Sequence, residues 1–98
     1  MIHRTVKMTF HPEKINEFIE IFNNNKEKIR NFPGCRSLQL IQSKEKSNIL
    51  LTSSIWDTLD SLNDYRNSDL FKTTWRATKL LFVEKPEAIS YNLIYWLD

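Results

Sequence analysis

Apolar and polar residues alternate over the first ten positions of the chain. The apolar residues of this stretch stand at even positions, with polar side chains between them: Ile2, Val6, Met8 and Phe10. A period of two predicts a strand over residues 2–10, because successive side chains of a strand point to opposite faces. Pro12 then predicts the start of a helix, since the first helical position needs no backbone N–H.

The next segment changes to a helical period. Its apolar residues follow at spacings of three and four and share one face: Ile15, Phe18, Ile19, Phe22 and Ile29. The sequence "NFPGC" ends this helix, because Pro33 disfavours the helical conformation at Phe32 and Gly34 can turn at positive φ. Two strands follow, about residues 36–42 and the segment "ILLTSSIW", and the polar connector "SKEKSN" joins them as a hairpin.

The last third of the chain predicts two short helices and a strand. Asp57 or Thr58 caps the first of these helices, and Ser68 or Asp69 caps the second. The second helix carries large side chains on one stripe: Phe71, Trp75, Thr78 and Phe82. After "EKP", residues 88–96 are rich in Ile, Tyr and Trp, which is typical of a strand.

The order β-α-β-β-α(α)-β predicts a ferredoxin-like α+β fold, in which a four-stranded antiparallel sheet carries its helices on one face. With 98 residues the chain forms one domain, residues 1–98. The second and third strands place apolar residues on both faces, so both faces need cover. A homodimer of two sheets packed face to face provides that cover.

Such packing leaves room for a ligand cavity, either between the two sheets or between each sheet and its second and third helices. Thr52, Ser54 and Trp56 alternate along one wall of this predicted cavity, and we expect Thr5 and His3 to lie nearby. A few polar groups in an apolar setting are typical of small-molecule pockets.

Composition excludes several classes of partner. The formal charge is +2, from 14 basic and 12 acidic side chains, which is too small and too mixed for a nucleic-acid surface. The third strand also lacks the aromatic, Gly and Lys or Arg pattern of RNA-binding sheets. No stretch approaches the ~20 apolar residues of a membrane span. Cys35 is the only cysteine, so no intrachain disulfide forms and we expect a cytoplasmic protein.

Few residues carry recognisable chemistry. One glycine in the chain excludes a Gly-rich phosphate loop, and no acidic or sulfur ligand accompanies His3 and His11 at metal spacing, so we expect no metal site. His3 is a candidate base, because imidazole titrates near neutral pH. The alternative is that His3 is simply a partly exposed strand residue.

The stretch from Trp56 to Trp75 carries a resemblance. A strand ending in "SIW", a short helix to "DYRNSDLF" and an aromatic residue four positions after Phe71 resemble the antibiotic biosynthesis monooxygenase family, whose members are dimeric α+β barrels. The resemblance covers nearly the whole chain in order and size. It implies either an oxygenase that needs no cofactor and acts on phenols, anthrones or quinols, or a haem-degrading enzyme.

Haem degradation fits the residues least. The haem-degrading members use a histidine as iron ligand where this chain has Trp75, a tryptophan where it has Tyr65, and an asparagine in the first strand, which this chain lacks. Trp75 cannot ligate iron, because its indole nitrogen is only a donor.

The resemblance therefore implies a monooxygenase that acts on a small planar phenol or quinol without metal or flavin. Tyr65 and His3 are the predicted proton-handling or anion-stabilising groups. The predicted substrate walls are Trp56, Phe71 and Trp75, with Thr52 and Ser54 beside them. The alternative is a non-enzymatic homodimer that binds a small ligand or only a partner, in which the same aromatic rings fill the core.

Overall fold

The computed structural model describes residues 1–98. Four strands form one antiparallel sheet in the order β2-β3-β1-β4, which confirms the predicted ferredoxin-like α+β arrangement. A single 3-10 turn at Pro12–Lys14 precedes the first helix. The elements in chain order are β1 (Ile2–Thr9), α1 (Ile15–Arg30), β2 (Cys35–Gln42), β3 (Ile49–Trp56), α2 (Leu59–Arg66), α3 (Asp69–Lys79) and β4 (Glu87–Asn92).

The core divides into two clusters at opposite ends of the sheet. At one end, Phe18 of α1 packs on Met8 and Leu50, which are paired between β1 and β3. At the other end, Trp56 of β3 packs on Leu62 of α2. The strand positions between the two ends therefore lie under the helices without belonging to either cluster.

Each strand presents one face to the helices, here called the inner face, and one face away from them, the outer face. The inner face holds the even positions of β1, and the outer face holds the odd positions. On the outer face Ile41, Ile89 and Tyr91 are 51%, 47% and 49% exposed in the single chain. The predicted apolar character of both faces is thus present, and these three outer-face side chains are left about half exposed by this chain.

Two predicted boundaries are wrong. The stripe of α3 does not extend to Phe82, because the helix ends at Lys79 and Phe82 instead forms an isolated bridge to Phe10. The last strand ends at Asn92 rather than at residue 96. Its partner β1 begins at Ile2, and beyond the hydrogen bond from Leu93 N–H to the carbonyl of Met1 no strand remains to pair with.

Local sequence signals explain the other boundaries. Gly34 has a φ of 88°, as the turn after α1 requires. Thr58 and Ser68 cap α2 and α3 by accepting backbone N–H bonds from Ser61 and Phe71. None of the three helices combines the length and the apolar character that crossing a membrane requires.

Candidate functional site

A cavity of about 320 Å³ lies between the sheet and the helices, in the gap between the two core clusters. Its floor is the middle of the inner face, and its roof comes from all three helices. The floor includes Leu38, Arg4, Val6, Thr52, Ser54 and Ala88 from the four strands. A volume of this size lies at the lower end of the ~300–1,000 Å³ typical of small-molecule sites.

One wall of the cavity is a continuous run of aromatic rings. Trp56 stacks on Tyr65, with centroids 4.9 Å apart and planes at 22°. Tyr65 meets Phe71 edge to face at 5.2 Å, and Phe71 stacks on Trp75 at 5.8 Å with planes at 10°. Trp56 is 1% exposed and belongs to the core, whereas the other three rings are half-buried. The rings therefore pack against one another and still leave the cavity open.

The junction between α2 and α3 sets the direction of this wall. The hydroxyl of Ser68 accepts from Phe71 N–H at 3.2 Å and donates to the carbonyl of Tyr65 at 2.6 Å. This bridge fixes the end of α2 against the start of α3. Phe71 and Trp75 then share a helix face, because they are four positions apart.

Polar groups on the cavity surface are few and partly engaged. Trp56 donates its indole N–H to Ser54 Oγ at 2.9 Å, and Thr78 donates to the carbonyl of Thr74 at 2.8 Å. Ser54 Oγ accepts in this bond, so its own proton is free to be donated elsewhere. The hydroxyl of Tyr65 makes no side-chain hydrogen bond within the chain. The side-chain bond at this residue runs from Ser68 Oγ to the Tyr65 carbonyl.

Burial sets the protonation of Tyr65. Desolvation in the aromatic wall raises the pKa of its phenol well above the ordinary value, and the nearby Cys35 adds to the rise. The phenol therefore stays protonated at any physiological pH. Tyr65 is equipped to donate a hydrogen bond to a ligand and is poorly suited to act as a base.

Both charged residues that line the cavity are arginines. Arg4 rises from the floor and Arg66 ends α2 above it. The pKa of Arg4 is lowered, first by burial and then by the charge of Arg66, so the two guanidinium groups lie close enough to interact. Sequence reasoning overlooked Arg4, although it stands at an even position of β1 among apolar inner-face residues, which signals a charge under the helices.

The structure brings most of the sequence-predicted site residues together. Those that line the cavity are Trp56, Tyr65, Phe71, Trp75, Thr52 and Ser54. His3 does not join them, because odd positions of β1 face outward. Its Nε2 lies 2.6 Å from Ser53 Oγ on the outer face. His3 and Thr5 therefore do not lie at this cavity between sheet and helices, and their place beside a cavity between two sheets stays a prediction.

No other candidate base lines the cavity in place of His3. His, Asp, Glu, Lys and Cys are all absent from the cavity lining. No cluster of three or more His, Cys, Asp or Glu side chains that could hold a metal ion occurs in the chain.

Solved structures share this fold. A conserved protein from Methanosarcina mazei Go1 is 26% identical with a TM-score of 0.88, over 92% of this chain and 89% of that one. Rv0793 from Mycobacterium tuberculosis is 13% identical with a TM-score of 0.90, over 99% and 98% of the two chains. SnoaB, a cofactor-independent oxygenase from Streptomyces nogalater, is 18% identical with a TM-score of 0.85, over 98% and 95%.

Sequence comparison gives a family. No curated protein matches this chain significantly. The model of the antibiotic biosynthesis monooxygenase family matches residues 1–77, which run from β1 into α3 and include every ring of the cavity wall from Trp56 to Trp75. The match spans most of the chain and agrees with the predicted resemblance, and the chain therefore belongs to the antibiotic biosynthesis monooxygenase family.

Proposed function

We propose that this protein is a monooxygenase that acts on a small planar phenol or quinol and needs no metal or flavin. The aromatic-walled cavity of about 320 Å³ is the observation that carries the proposal. Membership of the antibiotic biosynthesis monooxygenase family supports the reaction class. The shape of the cavity supports a flat ligand, since stacked rings such as Phe71 and Trp75 offer a flat surface.

In the proposed reaction the substrate itself reduces dioxygen. Loss of a proton makes the ring electron-rich, and the ring then transfers electrons to O₂. One oxygen atom enters the substrate, and the other leaves as water with two hydrogen atoms taken from the substrate. The protein contributes desolvation, orientation and hydrogen bonds to the developing anion.

The cavity residues divide these tasks. Phe71 and Trp75 hold the plane of the ring, and Trp56 supports Tyr65 from behind. Tyr65, protonated through burial, donates to the substrate oxygen and stabilises its anion. Ser54 and Thr52 supply further hydroxyl groups on the floor.

His3 has no part in the chemistry proposed for this cavity, because it lies on the other side of the sheet. Without it, the lining holds no general base. The proposal therefore assigns the first deprotonation to solvent and confines the protein to stabilising the product anion.

The same lack of a base supports a second candidate, a ligand-binding homodimer without catalysis. Cavity size and aromatic walls suit binding as well as reaction. The two candidates differ in one observable, which is whether a bound phenol or quinol consumes oxygen faster than it does in buffer.

We also propose that two chains pair through their outer sheet faces as a closed dimer. Exposed apolar side chains on the two edge strands of that face support it, among them Ile41 of β2 and Ile89 and Tyr91 of β4. Such pairing would place His3 and Ser53 at the interface. The cytoplasmic location stays a prediction from the single cysteine.

Oxygen uptake tests the function. We would add metal-free protein to anthrones, hydroquinones and catechols and record O₂ consumption, using Tyr65→Phe as the variant and Tyr91→Phe, on the outer face, as its matched control. Turnover by the native protein and by the Tyr91 variant that falls at least about tenfold in Tyr65→Phe is the expected result. If no compound is consumed above its spontaneous rate, the monooxygenase is rejected and the ligand-binding candidate stands.

A further inference from the structure

The charges of the cavity are all of one sign. Of the residues that line it, only Arg4 and Arg66 are charged, and both are cations. The rest of the lining is aromatic, aliphatic or hydroxylic. A neutral phenol would leave both guanidinium groups without an anionic partner.

Neither arginine is neutralised within the chain. The ion pairs of the structure join Lys7 to Glu87, Lys14 to Glu17 and Arg36 to Asp57, and none of them involves the cavity arginines. Arg4 donates one hydrogen bond, from Nη1 to Ser90 Oγ at 2.9 Å. A guanidinium has five N–H donors, so most of those on Arg4 are left for a ligand. A partly buried cation without an acidic partner is costly unless a bound anion compensates it.

Strand register gathers further donors around Arg4. Arg4 pairs with Ser54 of β3 on one side and with Ser90 of β4 on the other, so the three polar side chains form a row across the inner face. Ser54 lines the cavity and has a free hydroxyl proton, because its oxygen accepts from Trp56. Hydroxyl and guanidinium donors side by side are the groups that bind carboxylates.

The position of Arg66 adds a second cation from the opposite side. Arg66 is the last residue of α2, one position after Tyr65 of the aromatic wall. It therefore stands at the edge of the surface that would hold the ring. Both arginines line the same cavity, although one comes from the roof and the other from the floor.

We propose that the ligand of this cavity is an acid: a planar aromatic body that lies against Phe71 and Trp75 and carries a carboxylate held between Arg4 and Arg66. This inference rests on the proposed function for the position of the site and narrows its substrate class from phenols and quinols in general to those that bear a carboxylate. The two arginines then select the ligand and fix which end of it points to the sheet.

Calorimetric titration with a matched pair of probes tests the inference. 2-Naphthoate and 2-naphthol have the same ring system, and at neutral pH only the first is charged. We expect 2-naphthoate to bind at least about tenfold more tightly, since charge-assisted hydrogen bonds are stronger than neutral ones. We expect Arg66→Gln and Arg4→Gln each to weaken the binding of 2-naphthoate by about tenfold and to leave the binding of 2-naphthol unchanged.

Arg76→Gln is the matched control, because Arg76 is an exposed arginine of α3 that does not line the cavity. It leaves the binding of both probes unchanged. Arg66 is exposed at a helix end, so its variant remains informative even if Arg4→Gln, which loses the bond to Ser90, does not fold. Equal affinity for the two probes, no binding of 2-naphthoate, or equal effects of Arg66→Gln and Arg76→Gln would each overturn the inference.

The two proposals fail in different ways. A preference for 2-naphthoate that depends on Arg66, together with no oxygen uptake from any phenol or quinol, would keep the acid specificity and reject the monooxygenase. Oxygen uptake from neutral hydroquinones that Arg66→Gln does not change would keep the monooxygenase and reject the acid specificity.

Discussion

Trp56 and Tyr65 stack with their ring centroids 4.9 Å apart, and this contact joins the end of β3 to the end of α2. Trp56 is also tied to the sheet by its bond to Ser54. The phenol proposed to bind substrate is therefore positioned by a core residue that is itself held by a polar group of the cavity floor. Stability and site geometry are coupled at this point.

That coupling makes Trp56→Phe informative. The change removes the N–H donor and part of a fully buried ring, so we expect it to lower the free energy of unfolding by about 1–3 kcal/mol. Urea denaturation followed by circular dichroism measures the change. Trp96→Phe is the control, since Trp96 lies in the exposed C-terminal segment, and we expect less than about 0.5 kcal/mol there. If Trp56→Phe and Trp96→Phe lowered the free energy of unfolding by similar amounts, Trp56 would not be the core residue that stabilises this end of the sheet.

Gly34 is the second sensitive position. Its φ of 88° disfavours any other residue, and a Cβ at this position would collide with the side chain of Ser61. We expect Gly34→Ala to lower the free energy of unfolding by about 1–3 kcal/mol, as measured by thermal or urea denaturation.

A second substitution separates the two causes at this turn. Ser61→Gly removes the atoms that a new Cβ would meet but leaves the positive φ of Gly34. Gly34→Ala should therefore lower the free energy of unfolding less in the Ser61→Gly background than in the native protein, but it should still lower it. If Gly34→Ala had no effect on the free energy of unfolding in the Ser61→Gly background, the backbone conformation of Gly34 would contribute nothing to that effect.

Much of this fold follows from sequence patterns that have one physical meaning each. The period of two in β1, the proline before α1, and the caps at Thr58 and Ser68 are all present as predicted. Family membership also followed from local pattern, because the segment from Trp56 to Trp75 lies within the matched region.

Features that depend on pairing between distant segments could not be read from local pattern. The side of the sheet that faces the helices decides that His3 lies outside the cavity and Arg4 inside it, and both are polar residues of one strand. The end of β4 depends on where β1 begins, and apolar residues continue past that point without a partner. Period alone also cannot stop α3 before Phe82, which a contact with Phe10 draws into the core.

Alkaline pH offers a test of Tyr65. Its folded-state pKa lies above the ordinary phenol value of about 10, because burial disfavours the charged form. The contribution of the protonated Tyr65 phenol to the free energy of unfolding is complete below pH ~10, where the phenol is protonated in both the folded and the unfolded states. Above that pH the unfolded chain loses this proton first, so stability falls with rising pH. We expect the native protein to lose more stability between about pH 9 and about pH 11 than Tyr65→Phe does.

The measurement is urea denaturation at both pH values. Tyr95→Phe serves as control, since this tyrosine is 82% exposed in the C-terminal segment and should leave the loss as large as in the native protein. If Tyr65→Phe showed the same alkaline loss as the native protein, the burial of its hydroxyl would not be the cause.

The outer face of the sheet provides the last prediction, on assembly. If two chains pair through this face, a charge placed on it must be buried without a partner, and association weakens by several kcal/mol, since unpaired buried charge is costly. Ile89→Lys is the suitable change, because Ile89 is 47% exposed in the single chain and pairs with Thr5 on the outer face. We expect the native protein to show a dimer mass in light scattering at micromolar concentration and Ile89→Lys to show half that mass.

Leu80→Lys adds the same charge to an apolar residue that is 76% exposed just after α3, away from the sheet, and should leave the dimer intact. A monomer mass for the native protein would remove the dimer, whereas loss of the dimer in Leu80→Lys would place the contact on the helices instead of the outer face.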